Sequence, residues 1–246
     1  DILTIYAIIG FGLIPVAKLK DSWVLIIATL LMLQPYEWIN FACALLHPEV
    51  APANPASWAY FGKMGEYIPK DSFIDTVVGN LTNGRPAVFN WSWENGRVFQ
   101  TLSLFMLGML AGRKGLFKES DSNIRFWKKA LVISLVAFIP LYQAKTNVGT
   151  WYTSEALIRP LGVILSSWVN LAFMIFIVSS FVLLYRTSLF NKALNLLAPI
   201  GRMSLSNYII QSILGSFIYY GFGLGMYQFT GATHCLIIGI CLAILQ

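Results

Sequence analysis

The chain has 246 residues, of which 57% are hydrophobic and only 11% are charged, and its mean hydropathy is +0.67. Because soluble domains carry about 25% charged residues, this composition excludes an ordinary soluble domain and favours a membrane protein. The net charge of +6 does not indicate a nucleic-acid partner, since the basic residues concentrate in alternate loops, as they do in membrane proteins.

Seven apolar segments approach the roughly 20 residues that a helix needs to cross about 30 Å of hydrocarbon. In chain order they are residues 2–17, 22–46, 97–112, 126–144, 161–185, 203–222 and 232–246. The sequence therefore predicts an all-α fold: a polytopic integral membrane helical bundle of about seven spans. We predict that it forms a single transmembrane domain over residues 1–246.

The Lys and Arg residues divide unevenly between the loops of this arrangement. Eleven of the 17 fall on one side, and an excess of Lys and Arg in short loops marks the cytoplasmic side of a membrane. They are Lys18, Lys20, Arg113, Lys114, Lys118, Arg125, Lys128, Lys129, Arg186, Lys192 and Arg202. The prediction places Asp1 outside and Gln246 inside, with anionic membrane lipids as partners of the basic loops and no nucleic acid.

Both ends of the chain lead us to expect a longer working protein. Asp1 stands directly before an apolar run, without an initiator Met or the charged start of a signal peptide. The last stretch, CLIIGICLAILQ, has no basic residue after it, whereas membrane helices normally end in interfacial or charged residues.

One long hydrophilic stretch, residues 47–96, separates the second and third apolar segments. It is rich in Pro and in turn pairs such as Asn83-Gly84, which break long helices, so we expect loops with short helical pieces. The alternation of sides makes it an extracytoplasmic loop or cap between spans two and three. Long loops often bind ligands. Two interpretations of this loop therefore remain: a substrate-binding segment or a simple cap on the membrane surface.

The second apolar segment contains LLMLQPYEWINFACALLH, and lipid cannot form hydrogen bonds to its polar residues. Pro35 removes a backbone donor and predicts a kink, and Gln34, Glu37 and Asn40 follow at spacings of three on one helical face. A carboxylate at membrane depth is costly unless it is paired or hydrated. Glu37 and Asn40 are therefore candidate substrate-binding residues, with a structural ion pair as the alternative.

Glu37 needs a partner, and we expect it to be Arg97 or Arg159, since each begins a helix on the predicted outer side. Gln100 shares a helical face with Arg97. Pro160 follows Arg159 and predicts a helix start, where the missing N–H of proline matters least. Arg97, Gln100 and Arg159 join the candidate substrate-binding residues.

The sixth apolar segment begins with GRMSLSNYIIQS. At about 100° per residue in a helix, Ser204, Asn207 and Gln211 fall within one stripe that can face protein or water, and Arg202 precedes it. These four residues are further substrate-binding candidates. The alternative is that the stripe holds helices together, because such polar contacts contribute about 1 kcal/mol or less each in a membrane.

Four glycines suggest close helix packing. Gly108 with Gly112, and Gly221 with Gly225, have the spacing of small residues that lets membrane helices approach each other. We interpret both pairs as packing devices.

Cysteine and histidine give no recognisable motif. Cys43, Cys235 and Cys241 all lie in apolar segments, an odd number without the spacing of a disulfide framework or metal site. His47 and His234 lack the second pair that a metal site needs. We predict no metal and assign no catalytic residue, since the motifs of common hydrolases and nucleotide-binding proteins are also absent from the sequence.

Three stretches resemble the YeiB family, bacterial integral membrane proteins of undefined function that are also known as domain-of-unknown-function family 418. They are DILTIYAIIG, WENGRVFQTLSLFMLGMLAGRKGLF and GRMSLSNYIIQSILGSFIYYGFGLG. The resemblance implies a multi-pass protein of the bacterial cytoplasmic (inner) membrane, with further helices before the first stretch.

The YeiB family is similar in layout to transmembrane acyltransferases, which move an acyl group from a cytoplasmic acyl-CoA to a sugar or other acceptor across the membrane. Their catalytic base is a His in an early helix, and neither His47 nor His234 matches it. The resemblance thus implies an acyltransferase-like protein with acyl-CoA as donor on the cytoplasmic side, a polar acceptor on the outer side and no bound cofactor.

In that interpretation, Arg202 attracts the phosphates of acyl-CoA and the stripe from Ser204 to Gln211 lines its path. Glu37, with Arg97 or Arg159, holds the outer acceptor. Two other functions remain open: a transporter or flippase for a small or lipid-linked solute, whose sites also lie near mid-membrane, and a non-catalytic membrane scaffold.

Overall fold

The computed structural model describes residues 2–47, 52–195 and 198–245, and these ranges contain helices and connecting segments but no strand. The α-helices of the described ranges are α1 Ile2–Phe11, α2 Asp21–Met32, α3 Pro35–Leu46, α4 Ala56–Gly62, α5 Phe73–Gly79, α6 Arg85–Glu94, α7 Arg97–Arg113, α8 Asp121–Trp151, α9 Glu155–Tyr185, α10 Ser188–Asn195, α11 Ala198–Arg202, α12 Ser204–Tyr219 and α13 Ala232–Leu245. The predicted all-α class is confirmed.

The chain divides into two compact units. Unit 1 comprises Asp1–Pro55 and Phe89–Thr187, and unit 2 comprises Ala56–Val88 and Ser188–Gln246. That the whole chain forms a single transmembrane domain stays a prediction. The predicted sides of Asp1 and Gln246 concern residues that lie outside the described ranges.

Each of the seven predicted apolar segments contains a helix, but the helices differ in length. By length and composition, two helical segments of the described chain, Asp21–Leu46 and Glu155–Tyr185, suffice to cross a membrane. α7 has 17 residues, α12 has 16 and α13 has 14, fewer than the roughly 20 that span a bilayer. The count of seven spans therefore stays a prediction.

The first of these two segments is broken where Pro35 predicted a kink. α2 ends at Met32, and α3 begins with Pro35 at its first position, because proline has no N–H to continue the hydrogen bonds of the preceding helix. Gln34 between them is left-handed, with φ 58° and ψ 60°. The prediction that Gln34 shares a helical face with Glu37 and Asn40 is wrong, since Gln34 precedes the helix.

The core of unit 1 lies between α2 and α7. Its buried apolar side chains are Val16, Val24, Ala28, Met106 and Leu110. The fully buried Ser103 donates from Oγ to the carbonyl oxygen of Ala28 at 2.7 Å. Small residues on facing helices thus let the two backbones come close enough for a side chain to bond directly to the other helix.

α8 and α9 form a helical hairpin joined by residues 152–154. Each has 31 residues, which corresponds to about 46 Å of helix, and α9 also packs against α3. Because α9 begins at Glu155, Pro160 lies inside the helix. The prediction that Pro160 marks the helix start is wrong: the helix begins five residues earlier and accommodates the proline in its second turn.

Unit 2 is built partly from short helices, as the Pro and Gly content of residues 47–96 predicted. α4 is followed by a 3-10 helix at Lys63–Glu66, and α5 is followed by a π-helix at Asn80–Gly84. Tyr67 is buried there and donates to Oδ1 of Asn80 at 3.2 Å. The amide of Gly221 donates to the carbonyl of Ile68 at 2.8 Å, which joins the two sequence ranges of the unit.

The predicted role of the glycine pairs in close helix contact is wrong for Gly108 and Gly112 within the described chain, and Gly221 packs tightly but against a connecting segment. A Cβ added to Gly108 or Gly112 would meet no described atom outside its own helix within 4 Å, whereas one added to Gly221 would run into the carbonyl of Pro69. Gly225 is required for its backbone, with φ +60°. The spacing of small residues could not show which helix faces had neighbours.

The close approach of α2 and α7 can be tested at Ala28. Replacing Ala28, which is 0% exposed, with Leu inserts extra atoms into a filled space, and such overpacking costs about 1–3 kcal/mol. We expect Ala28→Leu to lower the thermal unfolding midpoint of the purified protein in detergent. The matched change Ala42→Leu, at an exposed position of α3, should leave it nearly unchanged; equal midpoints would contradict this packing.

Candidate functional site

A cavity of about 460 Å³ lies in unit 1, where the beginning of α7, the second half of α8 and the first half of α9 meet. This volume is within the range of roughly 300–1,000 Å³ typical of small-molecule sites. Its polar lining residues are Asn95, Arg97, Gln100, Lys145, Arg159, Ser166, Ser167 and Asn170. These helix ends are the ones that the Lys and Arg distribution predicts to face outside.

Gln100 organises one wall of the cavity. Its carboxamide is buried, with Nε2 donating to the carbonyl oxygen of Ser167 at 3.1 Å and Oε1 accepting from Nη1 of Arg97 at 2.7 Å. The Arg97 guanidinium also lies 5.7 Å from the ring centre of Trp91, within reach of a cation–π interaction. Arg97 is therefore held in place from two directions before any ligand binds.

Gln34 also supports this wall, although it does not line the cavity itself. It is fully buried, and its Nε2 donates to the carbonyl oxygen of Gly96 and to Oγ of Ser167, both at 2.9 Å. Its Oε1 has no hydrogen-bond partner among the described residues. The break between α2 and α3 is thereby tied to the residue before α7 and to the middle of α9.

The other two cations of the cavity have different surroundings. Arg159 donates from Nη1 to the carbonyl oxygen of Ala53 at 2.7 Å, and its Nη2 lies 3.6 Å from the carboxylate of Glu155 one turn earlier. Lys145 is exposed, and the described residues include no ion-pair partner for it. Since no carboxylate lines the cavity, its charge is positive.

The structure brings together three of the predicted outer residues, Arg97, Gln100 and Arg159, but not Glu37 and Asn40. Glu37 is buried and accepts from Nδ2 of Asn40 at 3.3 Å, and neither residue lines the cavity. The predicted pairing of Glu37 with Arg97 or Arg159 is wrong, because Gln100 and Glu155 hold those guanidinium groups instead.

The predicted residues of the sixth segment belong to unit 2. Arg202 ends α11 and Ser204 begins α12. Asn207 is buried, whereas Arg202, Ser204 and Gln211 are exposed. The stripe therefore does not form one buried polar face, and its role in binding a substrate stays a prediction.

Several lining residues were not among the predicted site residues. Lys145, Ser166 and Asn170 lie on the predicted outer side, and Ser166 and Asn170 follow Arg159 at spacings of seven and four, which places all three on one face of a continuous helix. The sequence alone did not show that this face borders one cavity with the start of α7. Gln34 was missed because periodicity assigns it to a helix that the structure interrupts.

Comparison with known proteins gives the family. A family model described as "Protein of unknown function (DUF418)" matches residues 111–246. The chain belongs to the DUF418 family. This confirms the resemblance to the YeiB family, and the range matched within this DUF418 protein contains Lys145 and Arg159 of the cavity.

One relative and one negative result complete the comparison. Uncharacterized protein YxaH of Bacillus subtilis (strain 168) is 27% identical over 256 residues, a match that covers 98% of this chain and 59% of the relative. The chain thus spans about 59% of the length of the relative it matches. No solved structure matches the chain.

Gln34 helps to position Arg97 through its hydrogen bond to Gly96, and this contact requires that residue 96 has no Cβ. Gly96 has φ +63°, and a Cβ there would lie 2.6 Å from Oε1 of Gln34 and 2.8 Å from Cγ1 of Val163. We expect Gly96→Ala to cost at least about 1–2 kcal/mol for the left-handed backbone alone and to displace Gln34. Thermal unfolding in detergent measures this effect.

The control is Gly108→Ala in α7, the helix that Gly96 precedes. An added Cβ has free space there, and alanine is a better helix former than glycine by about 1 kcal/mol, so stability should be unchanged or higher. If Gly96→Ala is as stable as this control, the left-handed turn does not set the position of Arg97.

Proposed function

We propose that this DUF418 protein is a multi-pass protein of the bacterial inner membrane with acyltransferase-like activity, and that its unit 1 cavity receives a polar acceptor from the outer side. The observation that carries the proposal is the position of the cavity. It lies at the ends of α7, α8 and α9 that are opposite to the ends near Arg113, Arg125 and Arg186.

The contacts of the basic residues support this orientation of unit 1. Arg113, at the end of α7, bonds to the carbonyls of Ala17 and Leu19 and lies 3.1 Å from the carboxylate of Asp21. Arg186, just after α9, donates to the carbonyl of Lys118 at 3.1 Å. Basic residues that are dispersed in sequence therefore meet at one end of the unit, as expected of a cytoplasmic face.

The proposed reaction transfers an acyl group from acyl-CoA to the acceptor. The acceptor's hydroxyl or amine forms a bond to the acyl carbon, the carbon–sulfur bond of the thioester breaks, and the acceptor's proton ends on the sulfur of CoA. The cavity lining contains no His, Cys, Asp or Glu, so we assign the cavity to binding the acceptor and name no catalytic residue.

The donor side of the proposal rests on the residues of unit 2. Arg202 and Ser204 are exposed beside the start of α12, and a guanidinium is well suited to pair with phosphate oxygens. We propose that Arg202 attracts the phosphates of acyl-CoA, and that Ser204, Asn207 and Gln211 of α12 line its path.

A second candidate function is transport or flipping of a polar or lipid-linked solute. It is favoured by the same lack of His, Cys, Asp and Glu in the cavity lining, because a binding site for a transported solute needs no catalytic residue. A non-catalytic membrane scaffold is the third candidate, and for it the lining residues should affect stability alone.

The enzymatic proposal is tested with purified full-length protein in liposomes that are supplied with a short acyl-CoA and a mixture of sugar acceptors. We expect an acylated product, detected by mass spectrometry, and a loss of about tenfold or more in its rate on Arg97→Gln, since a charge-assisted contact of that strength is removed. Arg125→Gln, at an exposed position outside the cavity, is the matched control.

The outcomes separate the candidates. Solute uptake that depends on Arg97 without a covalent product would favour the transporter. No transfer from any short acyl-CoA together with no binding of CoA would count against the enzyme.

The orientation is tested by cysteine labelling in intact cells. After Cys43, Cys235 and Cys241 are changed to Ser, single cysteines are introduced as Thr153→Cys, between α8 and α9, and as Glu119→Cys, between α7 and α8; both positions are exposed. A membrane-impermeant maleimide should label the first and reach the second only after the cells are opened. The reverse pattern would invert the proposed topology.

A further inference from the structure

We propose that the unit 1 cavity binds an anionic group of its ligand, a phosphate or a carboxylate, with Arg97 and Lys145 as the counter-charges. This inference rests on the proposed function in one respect, namely that the acceptor or solute occupies this cavity. It adds the chemical class of that ligand: a polar molecule that carries at least one oxyanion.

The balance of charge in the lining is the first argument. Arg97, Lys145 and Arg159 line the cavity and no carboxylate does. Glu155 compensates only Arg159 and is itself mostly exposed, with 75% of its side chain accessible. Like charges that share a cavity repel each other more strongly than in bulk water, so an anion that enters relieves the repulsion, whereas a neutral sugar does not.

The geometry of Arg97 is the second argument. The described hydrogen bond of its guanidinium uses Nη1 alone, toward Oε1 of Gln100, and the ring of Trp91 supports the group at 5.7 Å. No described residue accepts a hydrogen bond from Nε or Nη2, so both can donate to a ligand. A planar guanidinium that is already oriented loses little freedom when it pairs with two oxygens of a carboxylate or phosphate.

The beginning of α7 is the third argument. Its N-cap is Gly96, which makes no side-chain cap, and the first amides of a helix have no partner within the helix. These amides and the helix dipole favour an anion at this end. Asn95 and Arg97 on either side of the cap both line the cavity, so the helix start borders the same space as the two cations.

The remaining polar residues suit the uncharged part of such a ligand. Asn95, Ser166 and Asn170 offer amide and hydroxyl groups that can donate to or accept from sugar or glycerol hydroxyls. A soluble sugar phosphate or sugar acid and the headgroup of an anionic lipid share this chemistry, so the experiment must separate the two sources.

The test uses the purified full-length protein in neutral detergent, with glucose 6-phosphate and glucuronate as charged probes and glucose as their uncharged match. We expect at least one charged probe to bind, by isothermal titration calorimetry, about tenfold or more tightly than glucose. Lys145→Gln and Arg97→Gln should each weaken that binding by about tenfold, and added salt should weaken it as well.

Lys129→Gln is the matched control, since Lys129 is exposed on the same helix as Lys145 but about 24 Å away along its axis, near the basic end. Lys145 is exposed and has no described ion pair, so its substitution should not impair folding. Arg97→Lys, which keeps the charge but loses the planar fork, should bind with intermediate strength.

To test a lipid headgroup as the ligand, the protein is placed in nanodiscs of phosphatidylcholine with or without phosphatidylglycerol. If a lipid headgroup is the ligand, native mass spectrometry should show phosphatidylglycerol retained by the unsubstituted protein and lost on Lys145→Gln, with the soluble probes not bound. If a soluble anion is the ligand, the substitution should affect the probes alone. Either result supports an anionic ligand and identifies its source.

The inference is overturned if glucose binds as tightly as both charged probes, or if no probe or lipid responds to Arg97→Gln and Lys145→Gln. Its failure is distinct from that of the proposed function. If acyl transfer to a neutral acceptor is insensitive to Lys145→Gln, the enzymatic function is supported and the anion site is contradicted. If an anion binds but no acyl group is transferred, the anion site is supported and the enzymatic function is contradicted.

Discussion

The buried carboxamide of Gln34 joins three segments of unit 1 that are distant in sequence. It lies at the break between α2 and α3 and donates to Gly96 before α7 and to Ser167 in the middle of α9. A buried amide without partners is costly, so these segments are fixed relative to one another. The position of Arg97 follows from this arrangement, because Arg97 comes directly after Gly96 and is held by Gln100, which in turn donates to the Ser167 backbone.

The two ends of unit 1 are both positive, but the charges are used differently. At one end Arg113 and Arg186 are engaged with backbone carbonyls of connecting segments, so they fix the loops and mark an orientation. At the other end Arg97 and Lys145 face a cavity without a carboxylate in its lining. Charge that is solvated and bonded to the chain contributes to topology, whereas charge that lines a polar cavity is available to a ligand.

The site was predictable only in part. Arg97, Gln100 and Arg159 could be selected because a charged or amide side chain at the start of an apolar helix is costly unless it has a polar partner. The expected partner of Glu37 was wrong, because the carbonyl of Ala53 and the side chains of Glu155 and Gln100 occupy the two arginines. Lys145 reaches the cavity only because α8 and α9 form a long hairpin, and their lengths depend on capping and packing that composition does not specify.

Inspection of the sequence was enough to assign the helical class, the apolar segments, the asymmetry of Lys and Arg, the short helices of residues 47–96 and the family. Each follows from local composition or from direct similarity, which are independent of the neighbours in space. Which polar residues meet depends on how the helices pack in three dimensions. Helical periodicity gives the face on which a residue lies, but not what that face contacts, and one left-handed residue at Gln34 changes the direction of the chain that follows it.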